Sequence, residues 1–319
     1  MSSPPSRLLK IAAVPVMLAA GAMVALQSEI NGRLADEMGD GMRAGVGAAV
    51  ISFGIGLVIV TVITLTVARD RFPDLFSALR DHRIRPVEML GGLCGAFLVA
   101  TQGLTVATIG VALFTVAVTA GQSSTALLVD HLGLGPSGHQ PLNVPRAIAA
   151  TFAVAAVVLA TGERLAETFS WELILLAVLP FLAGAGSSVQ QALNGRITRY
   201  AGAWVTTLNN FVVGTTALLV AWAGSFLLDG ELVGLPGEWW LYVGGALGVT
   251  FIWLAAHLVH VHGVLVLGLS MIAGQVIGSQ LIELAGEDAH VGPVGIGAGA
   301  LTVVGVVVAL LRRRQATSA

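Results

Sequence analysis

Residues 27–34, Gln-Ser-Glu-Ile-Asn-Gly-Arg-Leu, return in altered form at residues 190–197 as Gln-Gln-Ala-Leu-Asn-Gly-Arg-Ile. The Gln, the Asn, the Gly and the Arg keep their spacing, and the two copies lie 163 positions apart. The first copy ends an apolar run that follows Arg7 and Lys10, an order that is also typical of a cleaved signal peptide. A removable signal has no reason to be duplicated, so we interpret the run as a permanent helix.

Further short matches follow in the same order along the chain, which indicates an internal repeat. They are Ser52-Phe53-x-x-Gly56 with Asn210-Phe211-x-x-Gly214 at an offset of 158, and, at an offset of 153, Gly91-Gly92-x-x-Gly95 with Gly244-Gly245-x-x-Gly248, Gly121-Gln122 with Gly274-Gln275, and Asp130-x-x-Gly133 with Glu283-x-x-Gly286. The offset shrinks only across loops, as expected for two copies that have drifted apart. The chain is therefore predicted to be a duplicated unit.

The composition places the duplicated unit in a membrane. The 319 residues are 55% hydrophobic and 11% charged, with a mean hydropathy of +0.87, whereas an ordinary soluble domain carries about 25% charged residues. The same apolar composition excludes a disordered chain. A net charge of −2 gives no electrostatic footprint for nucleic acid, and the single Cys94 excludes a disulfide framework or a cysteine-based zinc site.

About 20 apolar residues are needed for a helix to cross the hydrocarbon core, and the chain offers ten such stretches. They lie near 9–30, 43–68, 87–108, 110–130, 144–161, 171–193, 203–228, 239–259, 263–284 and 292–311. Only short hinges, at Ile109-Gly110 and around His260–Gly263, separate two of the neighbouring pairs. We predict an all-α polytopic membrane protein with a first five-helix repeat at 9–161 and a second at 171–311.

Positive charges set the predicted orientation. Thirteen of the 16 Lys and Arg residues fall on one side of a ten-span layout, the side that holds both termini, so the tails 1–8 and 312–319 are predicted to be cytoplasmic. Because each repeat has five spans, the second copy must enter the membrane upside down relative to the first. Inverted repeats of this kind build many secondary transporters, whose sites lie near the midplane between the halves.

The strings that carry the repeat also carry a resemblance. With QSEINGRL, QQALNGRI, ISFGIG, NNFVVG and AGQ, the chain resembles the YdcZ-type branch of inner-membrane exporters in the drug/metabolite transporter superfamily, over nearly all of residues 11–311. In that branch a five-helix unit occurs singly or fused in tandem, and this chain looks like a fused pair. Family members usually carry a small or apolar residue where this sequence has Glu29, and the second copy follows that habit with Ala192. The resemblance fixes no transported compound.

Polar side chains inside a bilayer are costly and often functional, so they are the candidate substrate-binding residues. They are Gln27, Asn31, Ser52, Gln102, Gln122, Gln190, Asn194, Asn210 and Gln275. Gln27 and Asn31 lie one helical turn apart on one face and could reach one ligand together. The alternatives are that these side chains bond helices to one another or cap the ends of broken helices.

Charged and glycine positions receive separate interpretations. Glu29 is the candidate for proton coupling, and the alternative is an ion pair with Arg33, four residues later, at the outer rim. Asp130 and Glu283, at matched helix ends, are predicted to be interfacial charges, with a gate or a helix-end anchor as the alternative. Helix packing is predicted for the small-xxx-small glycine pairs, which are Gly91 with Gly95 and Gly244 with Gly248. No metal site and no cofactor are predicted.

The leading function is a secondary transporter, an exporter of a small metabolite or drug-like molecule by alternating access. The sequence contains no nucleotide-binding motif, which favours coupling to an ion gradient, with protons as the expected ion. Few aromatic residues line the predicted spans, so the composition favours a small polar or neutral substrate over a lipophilic cation.

The alternative from another class is a non-transporting membrane scaffold or accessory subunit. A membrane enzyme would need a clustered acid and base pair, which the sequence lacks. The expected partners are the substrate, the lipid bilayer and protons, and fusion of two halves means that no oligomer is required.

Overall fold

The computed structural model describes residues 7–136, 138–141, 176–227 and 230–285, together with single residues between 144 and 155 and residues 297, 300 and 304. Within these residues the long helices are α1 Arg7–Met38, α2 Gly41–Val67, α4 Gly91–His131, α5 Val178–Ser225 and α6 Gly244–Ala285, and a short helix, α3 Phe72–Arg80, follows α2. Two short strands, β1 Gly39–Asp40 and β2 Gly230–Leu232, pair antiparallel. The predicted fifth and tenth spans, 144–161 and 292–311, lie largely outside the described residues.

Five helical segments in the described part of the chain are long and apolar enough to cross a membrane. They are Ala12–Met38, Gly41–Val67, Pro86–Thr105, Val178–Ser225 and Trp239–Ile282. The last two contain 48 and 44 residues, which at 1.5 Å per residue exceeds twice the thickness of the hydrocarbon core, about 30 Å. An all-α membrane protein is therefore supported, and each of these two segments is long enough for two crossings.

Glycines with positive φ divide the two longest helices where the sequence placed boundaries between spans. In α5 the break is at Gly202 (φ 79°, ψ 165°), and in α6 it is at Gly263 (φ 83°, ψ 176°). A side chain at either position would be strained in this conformation, so glycine is required there. The hinge predicted at Ile109-Gly110 does not appear, because α4 is helical from Gly91 to His131. A single glycine is tolerated inside a helix at a cost of about 1 kcal/mol, and no proline or polar turn forces a break there.

Helix α1 extends eight residues past its predicted end at residue 30 and stops at Met38. The end of the hydrocarbon core does not end a helix, and the final turns pack Leu34 and Met38 against Leu241. Gly39, with φ 137°, then turns the chain into β1. Strand β1 pairs with β2, so a loop of the first half is joined to a loop of the second half. No motif in the two loops predicted this pairing.

Contacts between helices recur in the two halves at the repeat offsets. A Cβ at Gly21 of α1 would overlap the Met271 carbonyl oxygen of α6, and a Cβ at Gly184 of α5 would overlap the Val118 carbonyl oxygen of α4. Gly21 and Gly184 differ by 163 positions, while Val118 and Met271 differ by 153. The close approach of α1 to the second part of α6 is thus repeated by the approach of α5 to the second part of α4.

Two phenylalanines that correspond in the repeat touch each other at the centre. The rings of Phe53 in α2 and Phe211 in α5 lie with their centroids 5.0 Å apart. Each ring also packs against the glycine that lies three residues after the other phenylalanine: Phe211 contacts Gly56, and Phe53 contacts Gly214. The contact therefore joins equivalent positions of the two halves. The buried core around this pair includes Val46, Val60, Val99, Leu218 and Ile252.

Candidate functional site

Three amide side chains of α5 form a buried hydrogen-bonded group, called here the second amide cluster: Gln190, Asn194 and Asn210. The Nε2 of Gln190 donates to Oδ1 of Asn210 at 2.9 Å, and Nδ2 of Asn210 donates to Oδ1 of Asn194 at 2.7 Å. The same Nδ2 also donates to the Thr206 carbonyl oxygen at 2.9 Å. All three amides are at most 5% exposed. Asn210 therefore acts as the bridge that satisfies its two neighbours across the Gly202 break.

The wall of this cluster is the first turn and a half of α4. A Cβ at Gly91 would lie 3.0 Å from Oδ1 of Asn194, and a Cβ at Gly95 would lie 2.9 Å from Nε2 of Gln190. Gly92, on the adjacent face, meets the Asn210 carbonyl oxygen instead. Glycine at these positions leaves the surface of α4 without side chains, so the amides can approach it closely. The predicted packing glycines Gly91 and Gly95 therefore contact amide side chains, whereas Gly92 contacts the backbone of α5.

The first amide cluster consists of the repeat equivalents, Gln27 and Asn31 of α1 and Ser52 of α2. It lies against α6, where a Cβ at Gly244 would overlap Oδ1 of Asn31 and a Cβ at Gly248 would lie 2.7 Å from Nε2 of Gln27. The arrangement of glycines and amides is thus the same in both halves. Their environment is equally buried, because these three side chains are at most 8% exposed.

The hydrogen bonding of the two clusters differs. Both side-chain polar atoms of Asn31 and the hydroxyl oxygen of Ser52 are buried without a partner in the described residues. Serine stands where the second half has Asn210, and its short hydroxyl cannot bridge two amides as an asparagine does. A buried polar group without a partner costs roughly 1–3 kcal/mol, so native proteins supply a partner from water or a ligand. The first cluster is consequently a place in the described core where a polar ligand would gain hydrogen bonds.

Other predicted binding residues lie near the clusters without joining them. The Nε2 of Gln102 donates to the hydroxyl of Ser28 at 2.8 Å, and its Oε1 is buried without a partner. Gln122 lies beside Gly268 of α6, and its backbone oxygen accepts a bond from the Ser188 hydroxyl at 2.7 Å. Gln275 is partly buried in α6. The predicted residues therefore fall into two clusters and a surrounding set.

The structure places Glu29 in an ion pair on α1, about two and a half turns before the helix ends at Met38. Its Oε1 accepts a bond from Nε of Arg33 at 2.7 Å, and the two side chains are 39% and 58% exposed. The Arg33 guanidinium also lies 5.8 Å from the centre of the Trp240 ring. This is the rim pairing that the sequence offered as the alternative to proton coupling. An exposed pair four residues apart on a helix adds only about 0.3–0.5 kcal/mol to stability.

Two charged residues are buried: Asp130, which the sequence predicted to be an interfacial charge with a gate or a helix-end anchor as the alternative, and Glu88, for which the sequence made no prediction. Asp130 is 1% exposed, and its carboxylate accepts bonds from the backbone N–H groups of Val264 and Leu265, both at 3.1 Å. These two N–H groups follow the break at Gly263 and would otherwise lack partners, so Asp130 caps the second part of α6. Glu88 is 5% exposed and pairs with Arg196 at 3.0 Å. The side chain of Glu283, the repeat equivalent of Asp130, lies outside the described part.

No group of three or more His, Cys, Asp or Glu residues in the described part of the chain is placed to hold a metal ion. The side chains of the two clusters can bind a ligand through hydrogen bonds of their amides and hydroxyls. Two clusters at equivalent positions of the repeat present these groups.

Comparison with known proteins gives a family and a fold. The family model described as "Putative inner membrane exporter, YdcZ" matches residues 12–159 and again residues 175–309. One solved structure, described only as the crystal structure of a protein, superimposes with a TM-score of 0.69 at 18% sequence identity, covering 97% of this chain and 99% of the other. At that identity the likeness shows the fold alone. No curated protein matches the sequence.

Proposed function

The chain belongs to the YdcZ family of inner membrane exporters, and from this premise we propose that it is a secondary transporter that moves a small polar molecule by alternating access. The two matches of the family model divide the chain near residue 160, at the boundary expected between the repeats. Each match accounts for one copy of the duplicated unit. The proposal assigns one amide cluster to each copy.

The observation that carries the proposal is the pair of equivalent clusters with different hydrogen bonding. In an inverted repeat, two copies of one unit take up different local states, and exchange of those states opens the site to alternate sides. In the described structure, Asn210 closes the second cluster, while Asn31 and Ser52 of the first cluster lack partners. A ligand with hydrogen-bonding groups would complete the first cluster. Amides and hydroxyls select such a ligand without requiring it to be charged.

The pairing of β1 with β2 is a candidate outer gate and supports the alternating-access part of the proposal. The β1–β2 pairing aligns Gly39 with Leu232 and Asp40 with Glu231, and Val233 N–H donates to the Met38 carbonyl oxygen at 2.8 Å. These bonds connect the loop between α1 and α2 to the loop after α5, on the side that the charge distribution predicts to be external. A short two-stranded pairing is weak by itself, so it can separate when the halves rearrange.

Proton coupling requires a carboxyl group that gains and releases a proton during the cycle. Glu29 is our candidate, and its ion pair with Arg33 must then separate in the other state of the cycle. Glu29 lies within one helical turn of Asn31, so a structural change at the first amide cluster would alter the surroundings of the Glu29 carboxylate. Replacement by Gln removes the titrating group while it keeps the size of the side chain.

The experiment is a flux assay on the full chain reconstituted in proteoliposomes, with a panel of small cations, amines, amino acids and nucleosides. The wild type is compared with the variant Gln27→Ala/Gln190→Ala, which removes one amide from each cluster. A matched control is Ser124→Ala/Thr216→Ala, because both hydroxyls are exposed and bond only to carbonyl oxygens of their own helices.

Flux for one substrate class that the amide variant loses and the control keeps, with both proteins folded, supports transport through the clusters. The non-transporting scaffold predicts instead that no member of the panel moves and that the amide variant changes only stability. Flux that persists unchanged in the amide variant would contradict the assignment of the site.

A further inference from the structure

A basic cavity lies beside the segment of α5 that follows Asn194, and none of its lining residues belongs to either amide cluster. It has a volume of about 280 Å³, near the lower end of the range for small-molecule sites, about 300 Å³. Its lining includes Arg83, Arg196, Arg199, Tyr200, Gly135 and Pro136. These residues come from the loop after α3, the loop after α4, and the segment of α5 before Gly202. The charge distribution of the sequence places all three segments on the cytoplasmic side.

Three guanidinium groups converge on this cavity, and the described lining contains no acidic residue. Arg196 is held by Glu88 at 3.0 Å, and Arg83 is 3.5 Å from Asp81, whose side chain is 43% exposed. Arg199 donates to the Pro136 carbonyl oxygen, and no ion pair of Arg199 occurs among the described residues. Each guanidinium carries five N–H donors, so these contacts leave several donors for a ligand.

The positive charge of this cavity is only partly repeated in the first half, where Arg33 corresponds to Arg196. The positions equivalent to Arg199 and Tyr200, at the offset of 163, are Asp36 and Glu37, which are both exposed. The packing of the duplicated unit therefore does not require Arg199 and Tyr200 at these two positions, because the first half packs with acidic residues there. An arginine pair beside a tyrosine hydroxyl and a glycine-rich loop is suited to an anion with several acceptor oxygens, since arginine binds phosphate with two parallel bonds.

We propose that the cavity lined by Arg83, Arg196, Arg199 and Tyr200 binds a phosphate group. The group can belong to a soluble phosphate compound or to the headgroup of an anionic phospholipid of the cytoplasmic leaflet, and the recognition chemistry is the same. Arg199 and Arg83 supply the free donors, while the Glu88–Arg196 pair fixes the wall of α5. The site does not depend on the proposed transport function, because it is defined by binding and not by flux.

The test measures binding to the purified full chain in nanodiscs of phosphatidylcholine, with inorganic phosphate as the soluble probe. A second arm replaces part of the phosphatidylcholine with phosphatidylglycerol and measures lipid retention by native mass spectrometry. The variants are Arg83→Gln and Arg199→Gln, and the matched control is Arg80→Gln, which removes a charge from the end of α3 outside the cavity. Arg196 is left intact because its loss would strand the buried Glu88.

Inorganic phosphate that binds the wild type and the control, and binds both cavity variants about tenfold more weakly, supports a soluble ligand; this factor is expected when one charge-assisted bond is lost. Phosphatidylglycerol retained by the wild type and the control but lost from the cavity variants supports a lipid headgroup. The proposal is overturned if neither probe binds, or if Arg80→Gln weakens binding as much as the cavity variants do.

Discussion

Replacement of Ser52 by Asn is expected to stabilise the protein, although it enlarges a fully buried side chain. The second half shows why: Asn210, at the equivalent position, bridges Gln190 and Asn194 at 2.9 and 2.7 Å. In the first half the same space is bordered by Gly244, and Oδ1 of Asn31 is buried with no hydrogen-bond partner among the residues that the structure describes. An asparagine at position 52 would give Asn31 the donor that Asn194 receives.

The magnitude follows from the bonds that form. Hydrogen bonds between helices in a membrane are worth about 0.6 kcal/mol on average, so two new bonds contribute about 1 kcal/mol. The reverse change, Asn210→Ser, removes both bridges and leaves Gln190 and Asn194 unpaired. Each stranded group costs roughly 1 kcal/mol or more, so this variant is expected to lose about 2 kcal/mol.

The assay is equilibrium unfolding of the purified protein in mixed micelles, with an increasing fraction of denaturing detergent. Ser52→Ala serves as the control, because it removes a hydroxyl that has no partner and changes the volume little. Its free energy of unfolding should stay within about 0.5 kcal/mol of the wild type. Flux through Ser52→Asn should also fall, since the new amide occupies the hydrogen-bonding groups offered to the ligand.

The reasoning is refuted if Ser52→Asn lowers the free energy of unfolding while Asn210→Ser leaves it unchanged. That result would mean that the two clusters are not equivalent in geometry, and that the repeat offsets do not transfer contacts from one half to the other.

Three further expectations concern packing, capping and the ion pair. Gly21→Ala and Gly184→Ala should each cost about 1–3 kcal/mol in the same unfolding assay, because a Cβ would overlap a backbone carbonyl of the facing helix. Gly54→Ala should instead stabilise the protein by about 0.5–1 kcal/mol, because a Cβ there would have no described atom within 4 Å. Asp130→Ala should cost about 2 kcal/mol, since the N–H groups of Val264 and Leu265 lose their acceptor, and protection of these amides in hydrogen exchange should fall. Glu29→Gln should change the free energy of unfolding by less than about 0.5 kcal/mol. If Glu29 couples protons, this variant should lose proton flux in proteoliposomes while substrate exchange continues. Unchanged proton flux would remove Glu29 from the mechanism.

Much of the architecture could be predicted because the repeat leaves matched polar letters in an apolar sequence. The strings around Asn31 and Asn194 indicated the amides of both clusters, and the Gly-Gly-x-x-Gly strings indicated packing glycines, but not that these glycines face the amides. Inside a membrane, amides and glycines at matched positions stand out because they are the exceptions to an apolar background. The family follows from the same strings.

The details that decide the chemistry could not be predicted in the same way. The substitution of Ser52 for the equivalent of Asn210 was visible in the sequence, but its effect depends on which atoms meet, and only the geometry shows that Asn31 lacks partners. The cap that Asp130 places on the helix after Gly263 joins residues more than 130 positions apart. No periodicity or local motif encodes such a contact. The ion pair of Glu29 is local, by contrast, and its four-residue spacing was sufficient to suggest it.

The most direct test of alternating access is to lock the outer loops together. In a Cys94→Ala background, Asp40→Cys and Glu231→Cys place two thiols on directly paired residues of β1 and β2. The Cα atoms of opposite residues in an antiparallel pair are about 4.5–5.5 Å apart, within the range of about 4.4–6.8 Å that a disulfide spans. Flux of the substrate found in the panel is then measured with the cross-link formed and after reduction. The account predicts that the cross-link stops flux and that reduction restores it. Full flux through the cross-linked protein would contradict the account.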